Sequence, residues 1–499
     1  MTTFAPPIQP AVSMLGPGEF RFLHETHLCA TPADWTSAEF SKLWRYNLHY
    51  FDDLNADHAD ERGEWHARLI ARWITENPPG HGDGWEPYPL SKRIVNWIKL
   101  ALRGVAIQDE VADSLATQTR WLRQRLEYHI LGNHLFANAK ALTFAGTFFS
   151  GDEADQWHAA GRAIVDRELR EQVLDDGGHF ELSPMYHAAF LEDLLDIVNL
   201  YQACARPVPP TWVDMIQRMR TWLATMSHPD HRIAFFNDAA FGIAPELEDI
   251  DAYCRRLAIN VPVPNIGVVR DLPDSGYVRA DTGRASLLCD CAAVGPDHQP
   301  GHAHADTLTF ELSLGKDRVI VNSGTSEYGA SDERLRQRGT AAHNCIVIDG
   351  QNSSEVWAGF RVARRARVTA REIDATRPIR VSAAHDGYRR LRGRNLQSRI
   401  WELADDALQI DDTITGVFTR AEAFFHLHPG VDATQTGPHE ITLQTMANGG
   451  VTMRFEPAAA VSLIPDTWHP CFGVVRESRT VRVVLSGDSL RTTIRWSAP

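Results

Sequence analysis

The sequence predicts an α+β protein in which a helical domain precedes an antiparallel β-sandwich. Apolar residues recur at helical spacing through the first half of the 499 residues, and short runs with a period of two dominate from Gly276 onward. Between these halves lies Val-Pro-Val-Pro-Asn at 261–265, a segment that suits a linker because prolines interrupt helices. We therefore expect a helical domain over residues 1–260 and a sandwich domain over residues 261–499.

The helical half consists of amphipathic runs separated by loops rich in Gly, Pro and Asp. In the first clear run, Trp65, Leu69 and Trp73 fall on one face of a helix. The predicted helices cover residues 65–76, 91–102, 118–131, 133–149, 155–173, 190–201 and 210–226. Many amphipathic helices in series, with no strand between them, indicate a helical bundle or a helical toroid.

The second half alternates apolar and polar residues over short stretches that end in Gly and Asp turns. The predicted strands cover residues 285–292, 308–314, 318–322, 344–349, 364–373, 400–414, 421–427, 441–446 and 481–485. Many short strands joined by tight turns are typical of an antiparallel sandwich.

Composition excludes several classes of protein. Hydrophobic residues make up 43% and charged residues 23%, as in an ordinary folded protein. The 50 basic and 64 acidic residues give a formal net charge of −14, whereas a dedicated nucleic-acid binder usually carries the opposite balance. The seven cysteines are too irregularly spaced for a disulfide framework.

The N-terminal residues carry no recognisable export signal. The first basic residue is Arg21, and no continuous apolar core precedes it. No stretch approaches the roughly 20 apolar residues of a membrane span. The default expectation is a cytoplasmic protein, although a trimmed or mis-assigned start would allow a periplasmic one.

Two polar motifs stand out in the helical half. Asn133 and His134 open a predicted helix, where Asn133 could simply cap the helix and His134 could be a structural imidazole. Further along, paired glycines at 177–178 precede an aromatic, His-rich segment that ends in Tyr186 and His187. Tyr186 is either a core residue with its hydroxyl at the surface or a proton donor.

The densest motif is His298-Gln-Pro-Gly-His302-Ala-His304-Ala-Asp306, which leads into a predicted strand. In an extended chain His302, His304 and Asp306 share one face. Burying three such groups costs free energy unless they are paired or bind a metal. Zinc is therefore a candidate metal here, with His343 as a remote ligand. The alternative is a solvated polar edge.

Taken together, these motifs resemble the heparinase II/III-like polysaccharide lyases, a superfamily that includes alginate lyases and some uronyl epimerases. The similar segments run over most of the chain. They are Leu43-Trp-Arg-Tyr-Asn-Leu-His-Tyr-Phe-Asp52, Trp85 to Trp97, Asn133-His134, the Tyr186 segment, Gly301 to Asp306, Asn322 to Tyr328 and Ala342-His343-Asn344. Their order and spacing are fairly specific for the superfamily and much less so for the substrate.

The resemblance implies an incomplete (α/α) toroid followed by an antiparallel β-sandwich, with a substrate cleft between them. It also implies β-elimination at a uronic acid within a polysaccharide. Asn133, helped by His134 or His302, would neutralise the uronate carboxylate, because hydrogen bonds to it stabilise an enolate-like transition state. Tyr186 would act as the acid and, for one stereochemistry, also as the base, with His134 as the base for the other.

The resemblance also implies substrate-binding and metal-binding positions. Tyr328 matches a cleft tyrosine of the family, and Arg93, Trp44 and Tyr46 are expected to bind substrate anions or to stack on sugar faces. The family's structural zinc would be held here by His304, Asn322 and His343. Asn322 departs from the usual aspartate, and because an amide is a weaker ligand, the metal could be replaced by hydrogen bonds.

Three functions remain open on the sequence. The first is a lyase acting on a uronate-containing glycan, such as a bacterial exopolysaccharide, capsule or O-antigen. The second is a uronyl C5-epimerase, and the third is a non-catalytic glycan-binding protein of a polysaccharide assembly system. The expected partner is an anionic polysaccharide or oligosaccharide, bound by a monomer or homodimer. Because a net charge of −14 repels a long polyanion, we expect a sparsely charged glycan.

Overall fold

The computed structural model describes residues 3–261, 268–445 and 449–497. It divides into two compact units. The helical unit comprises Met1–Val173, Phe190–Gln217 and Glu248–Val261, and the sandwich unit comprises Leu174–Ala189, Arg218–Leu247 and Pro262–Pro499. Each unit is therefore built from three separate segments of the chain. The domain boundary at residue 260 stays a prediction. Most of the proposed linker, at 262–265, lies outside the described residues.

Ten helices occur in the described part of the chain, nine of them before residue 260, as expected for an incomplete (α/α) toroid. They are α1 (Lys42–Tyr50), α2 (Gly63–Glu76), α3 (Pro87–Leu102), α4 (Asp109–Arg123), α5 (Gly132–Phe148), α6 (Asp152–Gln172), α7 (Pro184–Ala203), α8 (Pro210–Thr225), α9 (Leu247–Arg256) and α10 (Asp332–Arg338). None of the helices in these residues is long and apolar enough to cross a membrane.

Helices α5 and α6 pack closely because each carries a glycine at the contact. A Cβ atom at Gly146 would lie 2.3 Å from the backbone nitrogen of His158, and one at Gly161 would lie 2.7 Å from the nitrogen of Thr143. Larger residues at either position would force the two backbones apart. This contact holds α5, the helix whose first turn carries the Asn133–His134 motif, close to α6.

The strands confirm an antiparallel β-sandwich. They are β1 (Met14–Gly16), β2 (Glu19–Phe22), β3 (Glu25–Leu28), β4 (Val269–Leu272), β5 (Tyr277–Asp281), β6 (Ala285–Asp290), β7 (Phe310–Leu314), β8 (Asp317–Ile320), β9 (Ile346–Ile348), β10 (Val356–Trp357), β11 (Arg361–Val362), β12 (Val368–Asp374), β13 (Ile379–His385), β14 (Leu396–Leu403), β15 (Ala407–Thr415), β16 (Ala421–Leu427), β17 (Asp432–Gly437), β18 (Glu440–Thr445), β19 (Gly449–Glu456), β20 (Ala458–Trp468), β21 (Arg476–Leu485) and β22 (Ser489–Trp496).

Two large sheets form the sandwich. One has the order β20-β21-β16-β8-β7-β6-β5-β4, with β9 also paired to β16, and the other has the order β12-β13-β14-β15-β22-β19-β18-β17. Apolar side chains from both sheets, among them Phe310, Trp401 and Phe425, share one buried core. Strands such as β13 and β14 alternate buried and partly exposed residues because one face of their sheet is covered, whereas β6 and β7 are buried on both faces.

Some predicted elements are wrong in detail. The helix predicted over 118–131 ends at Arg123, and the following loop brings Glu127 to the start of α5. The single strand predicted over 400–414 is two strands, β14 and β15, joined by a turn at 404–406. Residue 446, the last of another predicted strand, lies outside the described residues.

Candidate active site

Tyr186 lies in the first turn of α7, where local hydrogen bonds fix the start of the helix. The Ser183 hydroxyl accepts a hydrogen bond from the Tyr186 backbone N–H at 3.2 Å and donates one to the Asp238 carbonyl at 2.6 Å. Pro184 suits the first helical position because its φ is already helical. The Tyr186 ring is therefore held at a defined point of the sandwich unit while remaining partly exposed.

Two partly exposed aromatic residues, Tyr328 and His302, lie around Tyr186. Its hydroxyl oxygen lies 2.7 Å from that of Tyr328, and its ring centroid lies 3.9 Å from the ring of His302. Tyr328 and His302 are themselves 5.8 Å apart between ring centroids. The structure thus brings together three residues that are far apart in sequence, each of which the sequence singled out.

Asp238 is the centre of this site and was not found by sequence analysis. Its carboxylate accepts hydrogen bonds from His302 Nδ1 and His304 Nε2, both at 2.8 Å, and from both terminal nitrogens of Arg334. The only sequence signal is the pair Asn237-Asp238 inside an otherwise apolar run, since polar residues in such a run need partners.

Asn237 fixes the loop that carries Asp238. Its backbone adopts a positive φ of 56°. Its amide donates to the Leu182 carbonyl at 2.9 Å and accepts from the His304 N–H at 3.0 Å. One side chain therefore links the segment before α7 to the His302–His304 segment.

The charge state of Asp238 follows from its partners. Burial alone would raise the pKa of this carboxyl, but Arg334 and the two imidazoles lower it well below its usual range. Asp238 is therefore ionised at neutral pH. With His302 Nδ1 held by Asp238, Nε2 is the nitrogen left for a further hydrogen bond, and it lies 3.6 Å from a carboxylate oxygen of the buried Glu181.

The net pKa shift of the two tyrosines is upward, opposite to that of Asp238. Desolvation raises the pKa of both the Tyr186 and the Tyr328 hydroxyls well above 10.0, and the negative charge of Asp238 raises them further. Both side chains are consequently neutral phenols at physiological pH. A neutral phenol can donate a proton, so this environment suits the acid role of Tyr186 better than the base role.

The helical unit carries a second group of polar residues around His134. His134 Nδ1 lies 2.9 Å from a Glu127 carboxylate oxygen, and Asn138 donates to the other oxygen at 2.9 Å. The His134 side chain is 28% exposed, and its ring packs on Tyr88 at 4.4 Å. With Nδ1 donating to Glu127, Nε2 carries a lone pair and can accept a proton.

Asn133 is not the helix cap. Helix α5 begins at Gly132, its N-cap residue is Leu131, and no side chain caps it. The Asn133 side chain is partly exposed and makes no hydrogen bond to any residue that the structure describes. Its amide is therefore available to a ligand, which removes the simpler structural explanation.

The predicted substrate-binding role of Arg93 and Trp44 is wrong, because both side chains are 0% exposed. The Arg93 guanidinium donates to the side chain of Gln118 and to the carbonyls of His49 and Gly84, and it lies 3.6 Å above the ring of Trp73. Neither residue can touch a sugar. Sequence reasoning failed here because a motif fixes residue identity but not which side of a helix faces the interior.

The packing around Trp44 explains its position in the interior. Its indole N–H donates to the carbonyl of Glu25 at 3.2 Å, and its ring packs against Phe22, His27 and Phe40. Tyr46, two residues along α1, is only partly buried, and its hydroxyl donates to Glu86. Of the aromatic residues proposed in this helix, Tyr46 alone retains the exposure that substrate binding requires.

The residues proposed for zinc form a hydrogen-bonded chain instead of converging on one point. His343 Nε2 lies 3.2 Å from His304 Nδ1, whereas His343 Nδ1 lies 3.0 Å from the amide oxygen of Asn322. That oxygen also accepts from the Thr309 hydroxyl at 2.7 Å. Because His343 uses opposite nitrogens toward its two neighbours, this set does not fit a zinc ion.

A second set, His304, Asp306 and His343, brings one ligand atom from each residue within 4.8 Å of the others. Tetrahedral zinc with bonds of about 2.0–2.1 Å needs ligand atoms roughly 3.4 Å apart. Asp306 is buried, and a carboxylate oxygen lies 3.4 Å from the N–H of Asn237. Burial raises the pKa of its carboxyl to about 6. The set offers suitable atom types but not a closed coordination shell.

Comparison with known families identifies the class of protein. The model for the heparinase II/III N-terminus matches residues 33–248, and the model described as heparinase II/III-like, C-terminal matches residues 267–497. The chain belongs to the heparinase II/III-like superfamily. The boundary between the two models agrees with the change from helices to strands.

Individual relatives are distant. A heparin-sulfate lyase of Bacteroides stercoris is 28% identical over 45% of this chain and 37% of its own length. The FtsZ-localized protein C of Caulobacter vibrioides is 27% identical over 92% of this chain and 82% of its own length. Among solved structures, a heparinase III crystal structure has a TM-score of 0.76 at 18% identity, covering 93% of this chain and 79% of that one. This last likeness supports the fold.

Proposed function

We propose that the protein is a polysaccharide lyase that cleaves a uronate-containing glycan by β-elimination. The observation that carries this proposal is the neutral Tyr186 hydroxyl beside His302, whose imidazole is oriented by an ionised Asp238. Family membership and the named heparin-sulfate lyases among the relatives support the same class of reaction.

The proposed reaction begins with removal of the proton at C5 of the uronate. The electron pair of the C5–H bond forms the C4=C5 double bond, and the C4–O bond to the departing sugar breaks. His134 Nε2 accepts the C5 proton, and the Tyr186 hydroxyl protonates the leaving oxygen. Asn133 and His302 donate hydrogen bonds to the uronate carboxylate, which stabilises the charge that develops there.

The environments described above match these roles. Glu127 accepts the hydrogen bond of His134 Nδ1 and so orients the imidazole with Nε2 toward the C5 proton. Tyr328, 2.7 Å from Tyr186, stabilises the phenolate through a hydrogen bond once the proton has left. Asp238 keeps His302 in one tautomer throughout the cycle.

We further propose that the substrate is a sparsely charged bacterial glycan, such as an exopolysaccharide, capsule or O-antigen. The net charge of −14 opposes binding of a densely sulfated chain. In addition, Arg334, which lies beside Tyr328, is already paired with Asp238. Little cationic capacity therefore remains next to the tyrosines for sulfate groups.

The test is incubation with a panel of heparosan, hyaluronan, alginate, bacterial O-antigen preparations and heparan sulfate. A lyase produces an unsaturated uronide, measured by its ultraviolet absorbance and by product mass. We expect activity on an unsulfated member other than alginate, which carries a carboxylate on every sugar, and loss of that activity in Tyr186→Phe. No unsaturated product from any glycan would contradict the proposal, and activity restricted to heparan sulfate would contradict the substrate class.

A second candidate is a non-catalytic glycan-binding protein of a polysaccharide assembly system. The similarity to FtsZ-localized protein C favours it, since that match covers 92% of this chain. The name of that protein describes a location and not a lyase activity. Host cells carrying Tyr186→Phe together with His134→Ala would distinguish the two. If surface polysaccharide is unchanged in that strain but defective in a strain that lacks the whole protein, the result favours the binding protein.

A further inference from the structure

The short hairpin β10–β11 presents two functional side chains on one face. Val356 pairs with Val362 and Trp357 pairs with Arg361, so the loop between the strands is Ala358, Gly359 and Phe360. Directly opposed residues of an antiparallel pair project to the same side. Trp357 and Arg361 are therefore neighbours on one surface of the hairpin.

Trp357 is unusual among the tryptophans of this protein. All 14 lie within the described ranges, where eleven are buried and Trp65 and Trp121 are partly buried. Trp357 alone is exposed, with 54% of its surface accessible. About half of this large apolar side chain is therefore left in water, and exposed tryptophans of this kind are typical of binding surfaces.

The hairpin is fixed to the proposed active site by two arginines. Arg334, which pairs with Asp238, donates through Nε to the Gly359 carbonyl at 3.0 Å, and Arg338 donates to the Ala358 carbonyl at 3.2 Å. Backbones also meet here, since a Cβ atom at Gly359 would lie 2.3 Å from the carbonyl oxygen of Gly329. The loop is thus held in place and cannot be treated as a free surface loop.

Phe360 connects the hairpin to the reacting groups directly. Its ring centroid lies 5.4 Å from that of Tyr328 and 6.2 Å from that of His302. Trp357 is three residues before Phe360, so their Cα atoms are at most about 11 Å apart. A glycan bound at Tyr328 and His302 can therefore reach Trp357 within a few sugar residues.

Charge on the hairpin favours an anionic ligand. Glu355, which directly precedes β10, is already paired with Arg364 through two bonds of 2.6 and 2.7 Å. In the described part of the chain Arg361 is exposed and has no ion-pair partner. A guanidinium that has no carboxylate of its own can bind one from a ligand, often in a bidentate manner.

We propose that Trp357 and Arg361 form a distal substrate subsite, in which the indole stacks on a sugar ring and the guanidinium binds the carboxylate of a neighbouring uronate. This inference rests on the proposed function for the position of the scissile sugar. The subsite makes longer substrates bind more tightly than short ones. It takes no part in proton transfer.

The first experiment compares Trp357→Ala and Arg361→Gln on size-defined heparosan oligosaccharides, from the tetrasaccharide to the decasaccharide. We expect KM for the longest chain to rise about tenfold in each variant while kcat stays within twofold, because stacking and ion pairing act on binding. The controls are Val417→Ala, an exposed apolar residue on another loop, and Arg479→Gln, an exposed arginine on β21. Both controls should match the unmodified protein.

The second experiment follows Trp357 without requiring turnover. Protein with 5-fluorotryptophan in the Tyr186→Phe background is titrated with heparosan decasaccharide, and Trp357→Phe assigns the resonance. We expect the Trp357 fluorine signal to shift on binding.

The outcomes separate this inference from the proposed function. Normal cleavage with unchanged KM in both hairpin variants and a static Trp357 signal overturns the subsite alone. A Trp357 shift without any cleavage supports the subsite and contradicts the lyase. The absence of both a Trp357 shift and cleavage with every glycan of the panel contradicts both.

Discussion

Replacing Asp238 by asparagine removes one buried negative charge and keeps the shape of the side chain. The carboxylate accepts from His302 Nδ1 and His304 Nε2 at 2.8 Å and from Arg334 Nη2 at 2.7 Å. Arg334 is 0% exposed, so the substitution leaves a buried cation unpaired. Breaking a buried ion pair in this way costs about 3–5 kcal/mol of unfolding free energy.

The effect on activity is separate from the effect on stability. Asp238 touches His302 but not the reacting atoms, so it is a positioning residue. Loss of such a partner typically lowers activity by about 10–100-fold. We expect kcat of Asp238→Asn to fall within that range, measured as the rate of unsaturated product on the best glycan of the panel.

Two further variants keep this prediction testable. Asp238→Asn combined with Arg334→Met removes both charges and should recover much of the lost stability in urea denaturation, while kcat stays low. Asp412→Asn breaks another fully buried pair, with Arg399 at 2.8 and 3.0 Å, and should cost similar stability without lowering kcat. A stability loss below 1 kcal/mol in Asp238→Asn, or kcat within twofold of the unmodified enzyme, would refute the reasoning.

Three other outcomes are expected. Tyr186→Phe should lower kcat at least 100-fold at unchanged Tm, because the acid is lost, and Tyr328→Phe should lower it less; equal effects would show that the roles are misassigned. Purified protein should contain well under one zinc per chain, and Asn322→Asp should raise the zinc content measured by mass spectrometry; full occupancy without the substitution would contradict the hydrogen-bonded chain. Burial lowers the pKa of His49 and His187 to about 3, below the value near 6.5 in the unfolded chain, so unfolding takes up protons and stability falls below pH 6.5. At pH 5 each of the two histidines should lower the free energy of unfolding by about 2 kcal/mol. A Tm that is equal at pH 7 and pH 5 would be inconsistent with these pKa shifts.

Much of the architecture could be predicted from periodicity. Helix α2 and strand β16 end where the pattern of apolar residues ends, at Glu76 and Leu427. Other boundaries failed where a specific contact overrides periodicity. The segment after Arg123 continues a helical pattern, but Glu127 lies outside the helix. Its backbone N–H donates to the Asn138 amide oxygen, and its carboxylate accepts from the Asn138 amide nitrogen.

The site was only partly predictable for a similar reason. Motifs named Tyr186, His302 and Tyr328, and the structure brings these three residues together. Asp238 escaped because a lone acidic residue in an apolar run gives no motif, and its importance appears only when three distant donors meet it.

The central claim is that the neutral Tyr186 phenol protonates a leaving sugar during β-elimination, and product analysis in deuterium oxide tests it most directly. Unsaturated uronide at the new chain end, with no deuterium at C5 of intact uronates and no product from Tyr186→Phe, is the result that we expect. Deuterium at C5 without chain cleavage would identify an epimerase and contradict the claim. Glycan that binds but returns unchanged would contradict catalysis altogether.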